Sequence, residues 1–291
     1  MLNELMARFR QGHRTAPFPP DSAALPDRFR GSPVADPTRC PEGCRECEEA
    51  CPTGAISSGK GSFRIDLGRC LFCTDCVQAC PQGAIGYSRD YRMAVRRRED
   101  LVREAGRGLE LAAALDAKAR RIFGRSLKLR QVSAGGCNAC EADVNVLNTV
   151  VFDLGRFGIQ FVASPRHADG LLVTGPVSRN MEVALRKTYD AVPAPKIVIA
   201  VGACAISGGP YIDHPEVLNG AGAVLPIDLY VPGCPPHPWT ILDGLLRLLG
   251  KLEGREASGS DSRALGAGES SAGAGEPVVK PGASGPSPSV R

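Results

Sequence analysis

The sequence predicts a two-part chain: an α/β domain built on a parallel sheet, preceded by a small α+β module organised by cysteine. Three observations predict it. Between residues 126 and 252, strand-like and helix-like segments alternate, as they do where parallel strands are joined by helical crossovers. Between residues 36 and 90 a short unit repeats, CPTGAI at 51–56 returning as CPQGAI at 80–85; such self-similarity means two copies of one supersecondary unit. The 12 cysteines fall into three sets of four with none left over.

Residues 1–35 form an N-terminal arm. Leu2, Leu5, Met6 and Phe9 fall on one face of a short helix, a face suited to packing on this chain or on a partner. The proline-rich stretch from Pro17 to Pro37 reads as an extended connector. Residues 36–90 are the cysteine module. Residues 91–125 are Arg-rich and helix-prone, with Leu101, Leu109, Leu111, Leu115 and Ile122 at loose helical spacing, so a solvated helical linker is expected. Within 126–252 the candidate strands are Leu127–Val132, Gln160–Val162, Gly170–Thr174, Lys196–Val201 and Ile227–Val231. The candidate helices are Cys140–Phe152, Asn180–Tyr189 and Trp239–Leu252. Residues 253–291 are mostly Gly, Ser, Ala and Pro with no aromatic. They bury too little apolar surface to offset the entropy of ordering and are expected to be disordered.

Composition bounds the chemistry. The 291 residues suit about two domains, and 43% hydrophobic content is enough for real cores. A net charge of +4 gives no reason to invoke nucleic acid. The N-terminus MLNELMARFRQGHRT has no apolar core or cleavage site of a secretory signal, and no run approaches the roughly 18 apolar residues of a membrane span. A cytoplasmic location is therefore expected, and a disulfide framework fits that compartment poorly. No Walker motif, no G-x-G-x-x-G after a strand and no nucleophile–base signature appears. The four histidines, His13, His167, His214 and His237, are isolated in sequence and read as structural or exposed.

The second cysteine run is C70-x2-C73-x2-C76-x3-C80-P, the spacing of bacterial ferredoxins. Three close thiolates on such a loop reach three corners of one cluster, and the cysteine before proline ligates the other cluster. Cys70, Cys73 and Cys76 therefore group with Cys51, and Cys40, Cys44 and Cys47 with Cys80. The first run, C40-x3-C44-x2-C47-x3-C51-P, carries one extra residue among Pro41, Glu42 and Gly43, which a glycine-bearing loop can absorb. Zinc is the alternative. Its motifs usually separate two Cys pairs by a dozen or more residues, whereas these cysteines form compact quartets each ending in Cys-Pro. This region resembles the two-cluster bacterial ferredoxin family over about 50 residues.

The third quartet is Cys137, Cys140, Cys204 and Cys234. Each of its loops, SAGGCNACE, GACAISGG and PGCPPHP, follows the carboxyl end of a candidate strand, the edge where open parallel sheets bind ligands. Four thiolates from three loops thus converge. The segments GGCNACEADVNVL, FVASPRHADGLLVTGPVS, PKIVIAVGACAISGG and YVPGCPPHP resemble the small-subunit family shared by respiratory complex I, as its B-type subunit, and [NiFe] hydrogenases. The resemblance implies a flavodoxin-like fold and a third [4Fe–4S] cluster on Cys137, Cys140, Cys204 and Cys234. The C137-x2-C140 spacing looks like that of hydrogenases, including membrane-bound, formate hydrogenlyase-type complexes; in complex I the corresponding quartet opens with two adjacent cysteines.

The resemblance further implies an electron relay through three [4Fe–4S] clusters to or from a metal site in a hydrogenase or complex I-like large subunit, with nickel and iron there if the complex is a hydrogenase. Membrane subunits of the same complex would hold the chain at the cytoplasmic face, and a ferredoxin or formate dehydrogenase would be the donor. A subunit of a complex I-like, quinone-reducing dehydrogenase is the alternative. Such complexes usually carry the ferredoxin and the small subunit as separate chains; here they are joined. Glu141, directly after Cys140, is expected to support the cluster by hydrogen bonding or to place charge at a helix N-terminus, with proton transfer as the alternative role.

Overall fold

The structure is a computed structural model and describes residues 2–20, 25–26, 28–59 and 62–252. The tail expected to be disordered, 253–291, lies outside the described residues. Helix α1 spans Leu2–Gln11, with Glu4 in its first turn and Arg8 and Arg10 in its last, charges that complement the helix dipole. Leu5, Met6 and Phe9 are exposed.

The cysteine module holds β1 (Pro33–Ala35), α2 (Glu46–Glu49), β2 (Ile56–Gly59), β3 (Ser62–Asp66), α3 (Asp75–Ala79) and β4 (Ile85–Tyr87). Each copy of the repeat runs from Cys-Pro into a strand that opens on a buried isoleucine, Ile56 or Ile85. Strand β4 pairs antiparallel with β1. Strand β2 pairs with β3, which pairs on its other side with β5 (Val102–Glu104), both antiparallel.

The 91–125 segment departs from the helical expectation. Only α4 (Ala117–Phe123) is α-helical, capped by Asp116. Before it come a 3₁₀ turn at Arg98–Leu101 and β5. Tertiary partners override the local propensity. Met93, Val95 and Leu101 are buried, Arg98 forms a two-pronged ion pair with Asp66 at 2.8 and 2.6 Å, and β5 completes the β3 edge.

The second domain comprises β6 (Leu127–Ser133), α5 (Ala139–Val146), β7 (Ile159–Phe161), β8 (Gly170–Thr174), α6 (Arg179–Ala191), β9 (Ile197–Val201), α7 (Ala203–Ser207), β10 (Leu229–Val231) and α8 (Pro238–Leu248). All neighbouring strands are parallel, in the order β7-β6-β8-β9-β10. Counted from the first strand of this sheet, that is the flavodoxin-like order 2-1-3-4-5. Strands β8 and β9 are buried at every residue, as continuous apolar runs are when helices cover both faces. Helix α8 is buried along its length and encloses the Asp243–Arg247 ion pair at 2.6 Å.

The described residues form one compact unit. Val95 and Tyr230 exchange two backbone hydrogen bonds of 3.0 and 2.9 Å, joining the linker to β10. Ser207 Oγ donates to Gly68 O at 2.8 Å and Arg96 Nε to Asp228 O at 2.9 Å. The cysteine module thus packs directly on the edge of the parallel sheet.

Candidate metal centres

Cys40, Cys44, Cys47 and Cys80 line one cavity of about 570 Å³, with Ser58, Phe63 and Ile85 among its walls. The extra residue of the first run is taken up in a turn: Cys44 N–H donates to Pro41 O at 3.2 Å, and Gly43 adopts φ +78°, a conformation glycine reaches without steric cost. Cys51, Cys70, Cys73 and Cys76 line a narrower cavity together with Ile56, Ile65 and Tyr87. Each cavity is thus lined by three cysteines of one run and the Cys-Pro cysteine of the other.

Backbone donors point at the sulfurs. Ala55 N–H donates to Cys51 Sγ and Ala84 N–H to Cys80 Sγ, both at 3.2 Å; the two copies of the repeat make the same i to i+4 contact. Phe72 N–H donates to Cys70 Sγ at 3.3 Å. Such donors stabilise thiolate over thiol. Against them, burial pushes the Cys47 thiol up to about 11, aided by Cys40 and Cys44, and Cys70 up to about 12. Four thiols so placed ionise together only when a cationic group compensates their charge, and a bound metal deprotonates its thiols outright. The donor set, the sulfur-directed N–H groups and the raised thiols fit an iron–sulfur core.

The third quartet lies at the carboxyl edge of the parallel sheet. Cys137 and Cys140 sit at the start of α5, Cys204 in α7 directly after β9, and Cys234 after β10. Asn138 between the first two adopts φ +72°, which Asn tolerates better than most residues. Cys204 is pushed up to about 12 by burial and then by Cys234 and Cys137; Cys140 is raised by burial and then by Cys204, Cys234, Glu141 and Cys137. The four thiols therefore feel one another across three loops. Gly202 makes room for them: a Cβ there would lie 2.5 Å from Cys140 Sγ.

The quartets also meet in sequence. Cys47 of the first group and Cys76 of the second lie in one buried cluster. Phe72, next to Cys73 of the second group, lines one cavity with Cys234 of the third. The second group is thus the middle one.

Glu141 is buried, and its Oε1 accepts from Ser133 Oγ and Thr174 Oγ1, each at 2.6 Å. Burial alone would raise its carboxyl, but these two hydroxyls hold it below the usual carboxylate range. Ser133 and Thr174 escape sequence reading because they reach Glu141 from two different strands. Tyr87 escapes it as well. It lines the second cavity beside Cys70 and Cys76, and burial followed by the charges of those thiols pushes its phenol well above its ordinary range. The available signal was a mismatch between the repeats, Tyr87 in one standing against Ser58 in the other. His237 caps α8, its Nδ1 accepting from Trp239 N–H at 3.1 Å, and its ring meets Phe29 edge-on. His214 Nδ1 accepts from Glu216 N–H at 3.2 Å.

Residues 39–84 match the family described as the 4Fe-4S dicluster domain, so the chain is a 4Fe–4S protein. Residues 137–248 match the family described as NADH ubiquinone oxidoreductase, 20 Kd subunit. A probable membrane-bound hydrogenase subunit of Pyrococcus furiosus is 42% identical over 132 residues, 45% of this chain and 79% of that protein. Formate hydrogenlyase subunit 7 of Escherichia coli is 42% identical over 144 residues, 50% of this chain and 56% of that protein. The B-type subunit of the NADH-quinone oxidoreductase of Clostridium beijerinckii is 43% identical over 118 residues, 40% of this chain and 70% of that protein. Among the described residues no helix is long and apolar enough to cross a membrane. With a flavodoxin-like strand order, a cysteine quartet at its carboxyl edge and these relatives, the chain belongs to the NADH ubiquinone oxidoreductase 20 kDa subunit family, joined here to a 4Fe–4S dicluster module.

Proposed function

We propose that this chain is the electron-relay subunit of a membrane-associated [NiFe]-hydrogenase or formate hydrogenlyase-like complex. In this reading Cys40, Cys44, Cys47 and Cys80 hold one [4Fe–4S] cluster, Cys51, Cys70, Cys73 and Cys76 a second, and Cys137, Cys140, Cys204 and Cys234 a third. Such clusters supply one-electron carriage. The protein's own contribution is to fix three cages in series, to exclude water from the inner sulfurs and to present Cys137 and Cys234, both exposed, to a neighbour. The observation that carries the reading is that Cys47 and Cys76 share one buried cluster while Phe72, next to Cys73, lines a cavity with Cys234, which supports the order first, second, third. A large subunit with the catalytic metal would dock at the third cage, a ferredoxin or formate dehydrogenase would exchange electrons at the first, and membrane subunits would hold the chain peripherally at the cytoplasmic face.

A complex I-like, quinone-reducing assembly is the second reading, favoured by the 43% identity to a B-type NADH-quinone oxidoreductase chain. The presence or absence, in the co-purifying large subunit, of two Cys pairs able to hold nickel separates the two. The three-cluster reading is tested by iron and acid-labile sulfide analysis of anaerobically purified Cys204→Ser. It should lose about one third of both and keep the spectroscopic signals of a two-cluster ferredoxin. Full retention refutes the third cage.

A further inference from the structure

The repeat in the cysteine module breaks beside the sulfurs. Aligning CPTGAISS at 51–58 with CPQGAIGY at 80–87 sets Ser58 against Tyr87. Ser58 lines the cavity of the first quartet. Its N–H and its hydroxyl, however, both donate to Glu48 Oε2, at 3.1 and 3.0 Å, so its one hydroxyl proton is committed to a carboxylate. Tyr87 lines the cavity of the second quartet. The other hydroxyl on that wall, Thr53 Oγ1, donates to Arg69 O at 2.8 Å, so the phenol of Tyr87 carries the side-chain proton left to serve the sulfurs of this cavity. The Tyr87 ring lies 6.1 Å from that of Phe72, centroid to centroid, and its backbone is registered opposite Pro33 by the pairing of β4 with β1. The phenol is therefore held against the thiols by packing and by the sheet.

The sign of its effect follows from charge. One-electron reduction adds one negative charge to the group held by the four thiolates, and much of that charge resides on sulfur. An O–H donor at sulfur stabilises the more negative state, because hydrogen bonds to ionised acceptors are stronger than those to neutral ones. No proton leaves the tyrosine; only an electron arrives. Hydrogen bonds to the sulfurs are among the factors that set such potentials.

Resting on the three-cage reading above, we propose that Tyr87 is a potential-setting residue. It raises the midpoint of the group on Cys51, Cys70, Cys73 and Cys76, and Ser58 leaves the first group without that bias. The middle station of the relay is thereby made a better electron acceptor than its own cysteines and backbone would make it.

The test is an EPR-monitored redox titration of the full chain, reduced with dithionite, for the unsubstituted protein and for Tyr87→Phe. The substitution keeps the ring and removes the donor. One signal's one-electron reduction equilibrium should fall by roughly tenfold, about 59 mV, while the other signals stay in place. Iron and sulfide should be unchanged. Difluorotyrosine placed at residue 87, with a more acidic phenol, should move the same midpoint upward. Unmoved midpoints in both variants at full iron and sulfide would overturn the role of Tyr87 and leave the relay intact. Iron and sulfide for fewer than three clusters in the unsubstituted chain would overturn the relay reading itself.

Discussion

Gly202 gives the sharpest test of how the third cysteine cage is built. It joins β9 to α7 with φ +92° and ψ 155°. That region is close to glycine-only, and a side chain there costs about 1–3 kcal/mol. The added methyl would also stand 2.5 Å from Cys140 Sγ. The backbone cannot yield easily, since Gly202 N–H donates to Val231 O at 2.9 Å and Ala203 N–H to Gly233 O at 2.8 Å. The sulfur must move instead. Gly202→Ala should therefore lose about one third of the iron and sulfide. Its melting temperature should fall by roughly 2–12 °C, from about 1–3 kcal/mol of strain at about 2–4 °C per kcal/mol. Gly222→Ala is the control: its φ is not positive, and the nearest atom to a new Cβ, Tyr230 Oη, lies 3.8 Å away. Metal analysis and thermal scans of the two variants, prepared anaerobically, decide the matter. If Gly202→Ala matched Gly222→Ala in iron, sulfide and melting temperature, the claim that this glycine makes room for Cys140 would be wrong.

Two further outcomes are expected. Arg247→Met leaves Asp243, 2% exposed, without its 2.6 Å partner inside α8 and should destabilise the chain by about 3–5 kcal/mol in denaturant unfolding; Asp243→Asn added to it should recover part of that loss, and equal stability of the single variant and the parent would refute the buried pair. Glu141 has a depressed carboxyl in the folded chain, so its stabilisation is present above its ordinary value of 4.5 and fades as pH falls through the lower folded value. The stability gap between the parent and Glu141→Gln should accordingly close on acidification below that value, and a gap constant down to strongly acid pH would count against the hydroxyl pair that holds Glu141.

Much of this architecture can be read from the residues because it is written in local patterns. The segment Gly170–Thr174 is apolar up to its last residue, and it is the strand β8. The cysteine loops after β6, β9 and β10 follow from where those apolar runs stop. Legibility fails where distant partners decide. Residues 91–125 have loose helical spacing, yet Val95 is claimed by Tyr230 and Val102–Glu104 by β3. Helix α5 ends at Val146 rather than at Phe152, because the carbonyls of Val150 and Val151 accept from Thr15 and Ala16 of the N-terminal arm. Glu141 is visible as an acidic residue after a cysteine, but its two hydroxyl partners lie 8 and 33 residues away.

The joining of the two modules has a physical consequence beyond covalent linkage. A diffusing carrier must give up translational and rotational freedom at each encounter, and a flexible tether only raises the effective concentration. Here the contact is made at the loops that carry the cysteines. Gly68, two residues before Cys70, accepts from Ser207, three residues after Cys204. A Cβ at Gly68 would come within 2.8 Å of Ile206 Cγ2, so the Ile206 side chain packs straight onto the Gly68 backbone. Val95 and Tyr230 pin the same edge four residues before Cys234. The distance between the second and third cages is thus set by packed backbone, in a chain whose tether alone would have left it free to vary.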